Sequence, residues 1–250
     1  MKTALVTGAS SGIGEAIARI LAENNYNLVI CGRREDKLIL LRNELAKKVA
    51  VNYLVFDVRD REQVAMALAP IIKEKEIDVL INNAGNAHGL APIHDGDLDD
   101  WDAMIDGNVK GLLYVSKIIL RQMIERKSGH VINIGSIAGK EVYPNGNVYC
   151  ASKHAVDAIN NSMRLDLNPF GIKVSQISPG LVETEFSKVR FKGDDERAAT
   201  VYDNLEALQA KDIAEVANFM LSRPDHVNIS DVIVLPKAQA SATILNRNSR

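Results

Sequence analysis

The sequence predicts a doubly wound α/β fold, a single domain whose seven-stranded parallel sheet carries helices on both faces. Short β-branched runs alternate with longer segments of helical period along the 250 residues, and parallel neighbours need connections of a dozen residues or more. No repeat, low-complexity tract or Pro/Gly-rich linker divides the chain, so one domain is expected over residues 1–250. The predicted strands are Ala4–Thr7, Asn27–Cys31, Val51–Phe56, Val79–Ile81, His130–Gly135, Lys173–Ile177 and Val232–Leu235.

Composition and charge exclude several classes of partner. The chain is 46% hydrophobic and 25% charged, with a net charge of −2, which favours a globular protein without a general attraction to nucleic acid or anionic membranes. No apolar run approaches the length of a membrane span. Met1-Lys2 runs straight into an apolar strand pattern, which makes a secretory signal unexpected and a cytoplasmic location the prediction.

Metal and disulfide chemistry are not expected. Cys31 and Cys150 are too few and too far apart for a CxxC site or a disulfide framework, and the five histidines lack paired ligand spacing. The acidic run from His94 to Asp102 imitates a calcium loop but lacks its central glycine and its final glutamate. A solvated helix start explains that run better.

A glycine-rich turn follows the first strand. Thr7-Gly8-Ala9-Ser10-Ser11-Gly12-Ile13-Gly14 precedes a helical segment at Glu15–Glu23. Glycines at such a turn allow the backbone to approach a pyrophosphate, and the helix start supplies oriented amides. The context favours a dinucleotide phosphate site over an ordinary glycine-rich turn.

Tyr149 and Lys153 stand one helical turn apart, thirteen residues after Ser136. Their side chains should project from one face, where a nearby ammonium would lower the tyrosine pKa from its usual value of about 10. A tyrosine tuned in this way can exchange a proton with a carbinol oxygen, which points to hydride-transfer chemistry. The ordinary alternatives are a core-edge aromatic for Tyr149, a surface cation for Lys153 and a strand-end cap for Ser136.

The motifs occur together in one order. The set TGASSGIG, Asn82-Asn83-Ala84-Gly85, Asn108, Ser136, Tyr149-x-x-x-Lys153 and Pro179-Gly180 resembles the short-chain dehydrogenase/reductase family over most of the chain. The resemblance implies a Rossmann-type sheet of order 3-2-1-4-5-6-7, with the site beyond the carboxyl ends of the strands. The stretches Gly180–Asp195 and His226–Pro236 are similar to the branch of NADP-dependent 3-hydroxy acid dehydrogenases, including serine and L-allo-threonine dehydrogenases.

The resemblance also implies residue roles. The catalytic set is Asn108, Ser136, Tyr149 and Lys153: Tyr149 transfers the proton, Ser136 orients the substrate oxygen, Lys153 holds ribose hydroxyls, and Asn108, in a helix at Met104–Gly111, holds a relay water. Asn82–Gly85 should stabilise the sheet or pass close to the cofactor ribose, with equal expectation. The cofactor-binding set is Gly8, Ser10, Ser11, Gly12, Ile13, Gly14, Arg33, Arg34, Asp57, Val58, Asn83, Ala84, Gly85, Tyr149, Lys153, Pro179, Gly180, Val182 and Thr184.

NADP is expected rather than NAD. Gly32 stands where an acid would receive the ribose 2′-hydroxyl, and Arg33 can contact a 2′-phosphate, with Arg34 as a second candidate. The alternative is a solvated helix start. Asp57 resembles the family's adenine-contacting acid, although a helix N-cap would explain it nearly as well.

Residues 181–200 are expected to form a mobile substrate loop, most mobile over Ser187–Arg197. Within it, Arg190 is the candidate for a substrate carboxylate, because a planar guanidinium can bind one bidentately; a solvated arginine is the alternative. The tail, residues 237–250, should be frayed or used in subunit contacts, since members of the resembled family are commonly homotetramers.

The predicted function is NADP-dependent hydride transfer to or from a small 3-hydroxy acid or β-hydroxy amino acid. Two alternatives remain open at this point. One is a reductase for another carbonyl substrate, such as a 3-oxoacyl thioester. The other is a regulator that binds NADP without turnover, which would not need the proton-transfer residues.

Overall fold

A computed structural model describes residues 1–247, apart from the side chain of Ala198. Seven strands form one parallel sheet of order β3-β2-β1-β4-β5-β6-β9, and β7 and β8 form a separate parallel pair. This order confirms the predicted 3-2-1-4-5-6-7 arrangement. The strands are β1 Thr3–Thr7, β2 Asn27–Gly32, β3 Val51–Val55, β4 Val79–Asn82, β5 His130–Ile134, β6 Lys173–Pro179, β7 Val182–Glu183, β8 Leu208–Gln209 and β9 Asp231–Val234.

Helices cover both faces of the sheet, as predicted. They are α1 Gly12–Glu23, α2 Glu35–Leu45, α3 Arg61–Glu74, α4 Leu98–Ile105, α5 Leu112–Arg126, α6 Asn147–Leu167, α7 Phe186–Arg190, α8 Asp195–Thr200 and α9 Ala210–Leu221. Strand side chains alternate between two cores: Ala4 and Val6 pack beneath α1, α2 and α9, whereas Leu5 packs beneath α3, α5 and α6. Both cores consist mainly of buried aliphatic side chains. Their packing holds in place the edge of the sheet at which the strands end.

Acidic side chains cap the starts of α3 and α4. Asp97 accepts hydrogen bonds from the amides of Asp99 and Asp100 at the start of α4, which confirms a helix start in the acidic run. Asp60 caps α3 in the same way. The N-cap interpretation of Asp57 is therefore wrong, because the cap is Asp60, three residues later, and α3 begins at Arg61.

The segment between α4 and α5 departs from the predicted regular helix. Residues Asp106–Gly111 form a π-helical turn that links the two α-helices. Such turns are rare and frequently lie at functional sites. This one places Asn108 in a buried position facing α6.

The C-terminal tail folds back on its own chain as far as Arg247. Gln239 and Leu245 form an antiparallel bridge, and the Arg247 guanidinium donates to the carbonyl of Asp203. A frayed tail therefore does not describe residues 237–247, and their use in subunit contacts stays a prediction. Residues 248–250 lie outside the described chain.

Two features are absent from residues 1–247. No helix there combines the length and apolar character needed to cross a bilayer. No group of three or more His, Cys, Asp or Glu side chains within that part is arranged to hold a metal ion.

Candidate active site

The predicted site residues gather where the strands of the main sheet end. Gly8 follows β1, Arg33 follows β2, Asp57 follows β3, Asn83 follows β4 and Ser136 follows β5. Because all seven strands are parallel, their carboxyl ends form one edge. The structure therefore brings together side chains that are more than a hundred residues apart in sequence.

The glycine-rich turn has the shape of an anion cradle. Gly8 and Gly12 adopt left-handed conformations, with φ of 66° and 55°. A Cβ on Gly14 would lie 2.4 Å from the Gly8 carbonyl oxygen, so α1 can approach the turn only through glycine. Ser11 begins α1 without a side-chain cap, which leaves the first amides of the helix to an incoming anion. Ile13 lies in the first turn of this helix.

The two arginines after β2 lie in different places. Arg34, the second candidate, reaches across the turn: its Nη2 donates to Ser11 Oγ at 2.6 Å, and its Nε and Nη2 each contact Ser10 Oγ at 3.3 Å. Its Nη1 pairs with Glu185 at 2.8 Å. Arg33, the first candidate, lies 3.7 Å from Asp57 instead. Arg34 therefore belongs to the cradle itself, and Arg33 borders it.

Asp57 is held by cations. Arg59 contacts it with Nη2 at 2.7 Å, and its backbone amide donates to the same carboxylate. Hydrogen bonds and charge from Arg59, with a further contribution from Arg33, outweigh burial and lower the pKa of Asp57. The next residue, Val58, packs against Gly111 of the π-helical turn.

The segment after β4 joins the sheet to the glycine-rich turn. Asn83 Nδ2 donates to the carbonyls of Thr7 and Gly8, and the amides of Asn83 and Ala84 both donate to Thr7 Oγ1. Position 85 requires glycine, because a Cβ there would lie 2.7 Å from Asn108 Oδ1. The sheet-stabilising role that was one of the two expectations for this segment is thus visible in its contacts; contact with the ribose remains a prediction.

The proposed catalytic side chains are all buried. Tyr149 and Lys153 lie in the first two turns of α6, at 8% and 7% exposure, and Ser136, which follows β5, is 9% exposed. The Ser136 hydroxyl lies close enough to the Tyr149 phenol to favour its ionised form, and its Oγ also accepts from the Ala138 amide. Capping and contact with the phenol therefore coexist at Ser136.

The ammonium of Lys153 is bonded to the backbone at the end of β5. Its Nζ donates to the Ile134 carbonyl at 3.0 Å, and burial lowers its pKa to about 8. Burial also raises the pKa of Tyr149 well above its usual value, and hydrogen bonding by Ser136 offsets this only in part. The expected lowering of the phenol pKa by Lys153 is therefore wrong for the protein chain alone, because desolvation outweighs the nearby charges.

Asn108 connects the π-helical turn to its neighbours. Its Nδ2 donates to the Asn86 carbonyl at 2.8 Å and to Ser152 Oγ at 3.0 Å, and its Oδ1 accepts from the Asn86 amide. These bonds fix the backbone after Gly85 against α6. A relay role for Asn108 remains a prediction.

The substrate loop closes over this edge of the sheet. Arg190 at the end of α7 stacks on the rings of Tyr143 and Tyr149, with its Cζ 5.5 and 5.7 Å from the two ring centroids. Its Nε donates to the Gly89 carbonyl at 3.2 Å, and the Gly89 amide donates to the Arg190 carbonyl at 2.9 Å. A cavity of about 90 Å³ lies beside Tyr149 and Arg190, bordered by residues 88–91 and by the start of α4.

Other residues of the substrate loop connect this loop to the glycine-rich turn and to the sheet. Thr184 lies 3.4 Å from the Cβ position of Gly12, and Val182 is buried in the β7–β8 pair. Pro179 ends β6, and Gly180 follows it. The substrate loop contains the short elements β7, α7 and α8. Its mobility stays a prediction.

Sequence reasoning missed Gln239 in the tail. Its Oε1 accepts from the Leu181 amide at 2.9 Å, and its Nε2 donates to the Ser241 carbonyl. The side chain is 6% exposed, and its Oε1 would lie 2.1 Å from a Cβ on Gly180. A buried polar residue in an otherwise polar tail has no local signal, since only the fold brings it to Leu181.

The fold and this group of side chains define a short-chain dehydrogenase. The family model described as short chain dehydrogenase matches residues 2–195, and the chain belongs to that family. This confirms the predicted family and, with it, an oxidoreductase.

Individual relatives agree over nearly the whole chain. NADP-dependent 3-hydroxy acid dehydrogenase YdfG of Salmonella typhi is 45% identical over 240 residues, 95% of this chain and 96% of that protein. Sulfoacetaldehyde reductase 2 of Chromohalobacter salexigens is 40% identical over 247 residues, 98% of each protein. The closed form of serine dehydrogenase complexed with NADP+ has a TM-score of 0.90 at 40% identity, covering 97% of this chain and 98% of that chain.

Proposed function

We propose that this chain is an NADP-dependent dehydrogenase that transfers a hydride between nicotinamide and a small 3-hydroxy acid, β-hydroxy amino acids included. The observation that carries the proposal is the buried group of Tyr149, Ser136 and Lys153 beside a small cavity that also contains a guanidinium. The relatives named for 3-hydroxy acid and serine oxidation support the same substrate class.

The cofactor fits the residues at the carboxyl edge. The uncapped start of α1 and the left-handed glycines suit a pyrophosphate, and Arg34, with Ser10 and Ser11, presents donors to a 2′-phosphate. When bound, NADP supplies the hydride acceptor or donor. The remaining members of the proposed cofactor set are Gly8, Gly12, Ile13, Gly14, Arg33, Asp57, Val58, Asn83, Ala84, Gly85, Tyr149, Lys153, Pro179, Gly180, Val182 and Thr184.

Proton transfer falls to the protein side chains. Tyr149 takes the hydroxyl proton during oxidation and returns it during reduction, and Ser136 hydrogen-bonds the same substrate oxygen. Lys153, with its pKa of about 8, is largely protonated at pH 7 and holds ribose hydroxyls from the Ile134 side. Asn108 fixes the backbone after Gly85 against α6 and holds a relay water.

Arg190 binds the substrate carboxylate in this proposal. Its Nη2 is buried and has no hydrogen-bond partner among the described residues, and its Nε is already taken by Gly89. A buried guanidinium nitrogen without an acceptor is costly unless a ligand supplies one. A carboxylate in the cavity does so, and a small cavity favours a short acid over a long acyl thioester.

A short aldehyde with a sulfonate group is a second candidate substrate. The relative from Chromohalobacter salexigens is named for reduction of sulfoacetaldehyde. A sulfonate offers Arg190 the same negative charge and acceptor oxygens as a carboxylate. The two substrates differ at the head group and share the reaction at the carbonyl.

The substrate class is tested by one panel of assays. NADP+ reduction is measured with serine, allo-threonine, 3-hydroxypropionate and 3-hydroxyisobutyrate, and NADPH oxidation with sulfoacetaldehyde. We expect at least one 3-hydroxy acid to be oxidised with a clear preference, and Arg190→Met to raise KM for acids far more than for neutral ketones. Turnover of neutral ketones alone would contradict the proposal.

We also propose a cytoplasmic homotetramer. Cys31 and Cys150 are buried free thiols, which suits a reducing compartment. Large apolar side chains that remain exposed, among them Leu165, Phe219 and Ile233, supply surface for subunit contacts. Analytical ultracentrifugation tests the assembly, and a monomer at micromolar concentration would contradict it.

A further inference from the structure

Arg190 is a cation that lies over the ring of the proposed catalytic Tyr149. It is carried by α7 of the substrate loop, and its Cζ lies 5.7 Å from the ring centroid. The Lys153 ammonium, one helical turn further along α6, donates to the Ile134 carbonyl. The loop therefore brings a second cation, in addition to the one on α6, against Tyr149.

Apart from Lys153, the other groups around Tyr149 are neutral. Ser136 comes from the end of β5, Tyr143 from the loop before α6, Cys150 from α6 itself and Phe186 from α7. The ring of Phe186 lies 5.7 Å from that of Tyr149 at a tilt of 59°. Among these described neighbours, the guanidinium of Arg190 carries the full positive charge that can favour a phenolate.

Contacts along the loop hold Arg190 in place. Its backbone and side chain both pair with Gly89, across the cavity from α6. Two residues later, Lys192 pairs with Asp100 at 3.0 Å and with Asp97 at 3.4 Å, at the start of α4. The position of the cation therefore depends on the loop being closed.

We propose that Arg190 is a positioning residue that acts through Tyr149: when the substrate loop closes, its guanidinium stabilises the phenolate and couples closure to proton transfer. This goes beyond carboxylate binding, and it rests on the proposed function only in taking Tyr149 as the group that exchanges the proton. A charge a few ångströms away from a buried phenol can move its pKa by about one unit or more, and the direction agrees with the lowering that Arg190 exerts on the pKa of Tyr149.

The two directions of the reaction respond oppositely to such a charge. Oxidation needs the phenolate as a base, so loss of the cation moves the rising limb of its pH profile to higher pH. Reduction needs the neutral phenol as an acid, so the same loss extends activity to higher pH. A variant that merely damages the site would lower both directions at every pH.

The experiment measures kcat/KM against pH with a neutral substrate pair, 3-hydroxybutanamide for oxidation and acetoacetamide for reduction, so that carboxylate binding plays no part. Arg190→Met should lower oxidation about tenfold at pH 7, because its profile moves about one pH unit higher, and should sustain reduction about one pH unit further into alkali. Arg190→Lys keeps a cation and should restore most of the wild-type profile. The matched control is Arg197→Met, since the Arg197 guanidinium stacks on Phe191 instead, 4.5 Å from its ring centroid.

A second measurement does not depend on turnover. Tyrosinate absorbance at 295 nm is titrated upward from pH 6 in the NADP+-bound protein, to the highest pH at which circular dichroism shows the protein folded. The titration is made with and without Tyr149→Phe, and the difference isolates Tyr149. The onset of the Tyr149 signal should move about one pH unit higher in Arg190→Met and stay unchanged in Arg197→Met. NADPH fluorescence checks that each variant still binds cofactor.

Failure of the inference and failure of the proposed function are distinguishable. If no 3-hydroxy acid is turned over, the proposed function fails, and the spectroscopic titration still tests the effect of Arg190 on Tyr149. An equal drop in both directions, or a Tyr149 titration that Arg190→Met leaves unmoved, would overturn the inference.

Discussion

Replacement of Gly180 by alanine is predicted to destabilise the protein, because the C-terminal tail packs against this glycine. A Cβ there would lie 2.1 Å from Gln239 Oε1 and 2.8 Å from Leu235 Cδ2, well inside ordinary contact. Gln239 can move aside only by giving up its bonds to Leu181 and Ser241. Two hydrogen bonds of about 0.5–1.5 kcal/mol each, with overpacking of about 1–3 kcal/mol, give a destabilisation of about 2–6 kcal/mol for Gly180→Ala.

A double-mutant cycle isolates this contact. Gln239→Ala alone should cost about 1–3 kcal/mol, because the Leu181 amide loses its acceptor. In Gly180→Ala/Gln239→Ala the clash with Gln239 is gone, so the loss should be smaller than the sum of the two single losses by at least about 1 kcal/mol.

Urea unfolding, followed by circular dichroism, measures all four proteins of the cycle. Gly107→Ala is the control, since the nearest atom to a Cβ there is Arg59 Cγ at 3.9 Å, and it should cost little or nothing. Additive losses from Gly180→Ala and Gln239→Ala would refute the reasoning.

Three further perturbations are predicted from the structure. His130 is buried, and burial lowers its pKa to about 3 in the folded protein. In the unfolded chain the same imidazole takes up a proton near pH 6.5. The contribution of neutral His130 to the free energy of unfolding is therefore complete above pH 6.5 and is lost as the pH falls toward 3. At pH 4.5 that loss is about 2–3 kcal/mol; His130→Gln should remove it in urea unfolding at pH 7.5 and 4.5, and equal pH dependence in both proteins would contradict this. Arg34→Met should raise the Kd of 2′,5′-ADP about 10–100-fold by calorimetry and that of 5′-ADP about twofold or less, and equal weakening would contradict a 2′-phosphate role. Lys192→Ala removes the ion pair to Asp100 and should speed subtilisin cleavage of residues 181–200, whereas an unchanged rate would show that this pair does not hold the loop.

The elements of the sheet could be predicted because their signals are local. Runs such as Val79–Ile81 and Lys173–Ile177 contain β-branched residues, and each is a strand in the structure within one or two residues of its predicted ends. The glycine-rich turn also has a local signal, since left-handed backbone at Gly8 and Gly12 needs glycine. Burial of these runs on both faces then follows from parallel pairing.

What could not be predicted depends on contacts between distant segments. Both arginines after β2 suit a phosphate, and only the folded position of Ser10 and Ser11 shows that Arg34 is the one that crosses the turn. The pKa of Tyr149 likewise depends on burial beneath α7, which no spacing within α6 reveals. Gln239 and Leu181 are 58 residues apart, and their bond exists only because the tail folds back.

Replacement of the phenol hydroxyl tests the central claim most directly. In Tyr149→Phe the ring and its packing against Phe186 are kept and only the proton-transfer group is lost. We expect kcat for 3-hydroxy acid oxidation to fall by at least about 100-fold, as for the loss of a general acid-base group, with the Kd of NADPH changed by about twofold or less. Wild-type turnover in Tyr149→Phe, with cofactor binding intact, would contradict the proposed role of Tyr149 and the mechanism built on it.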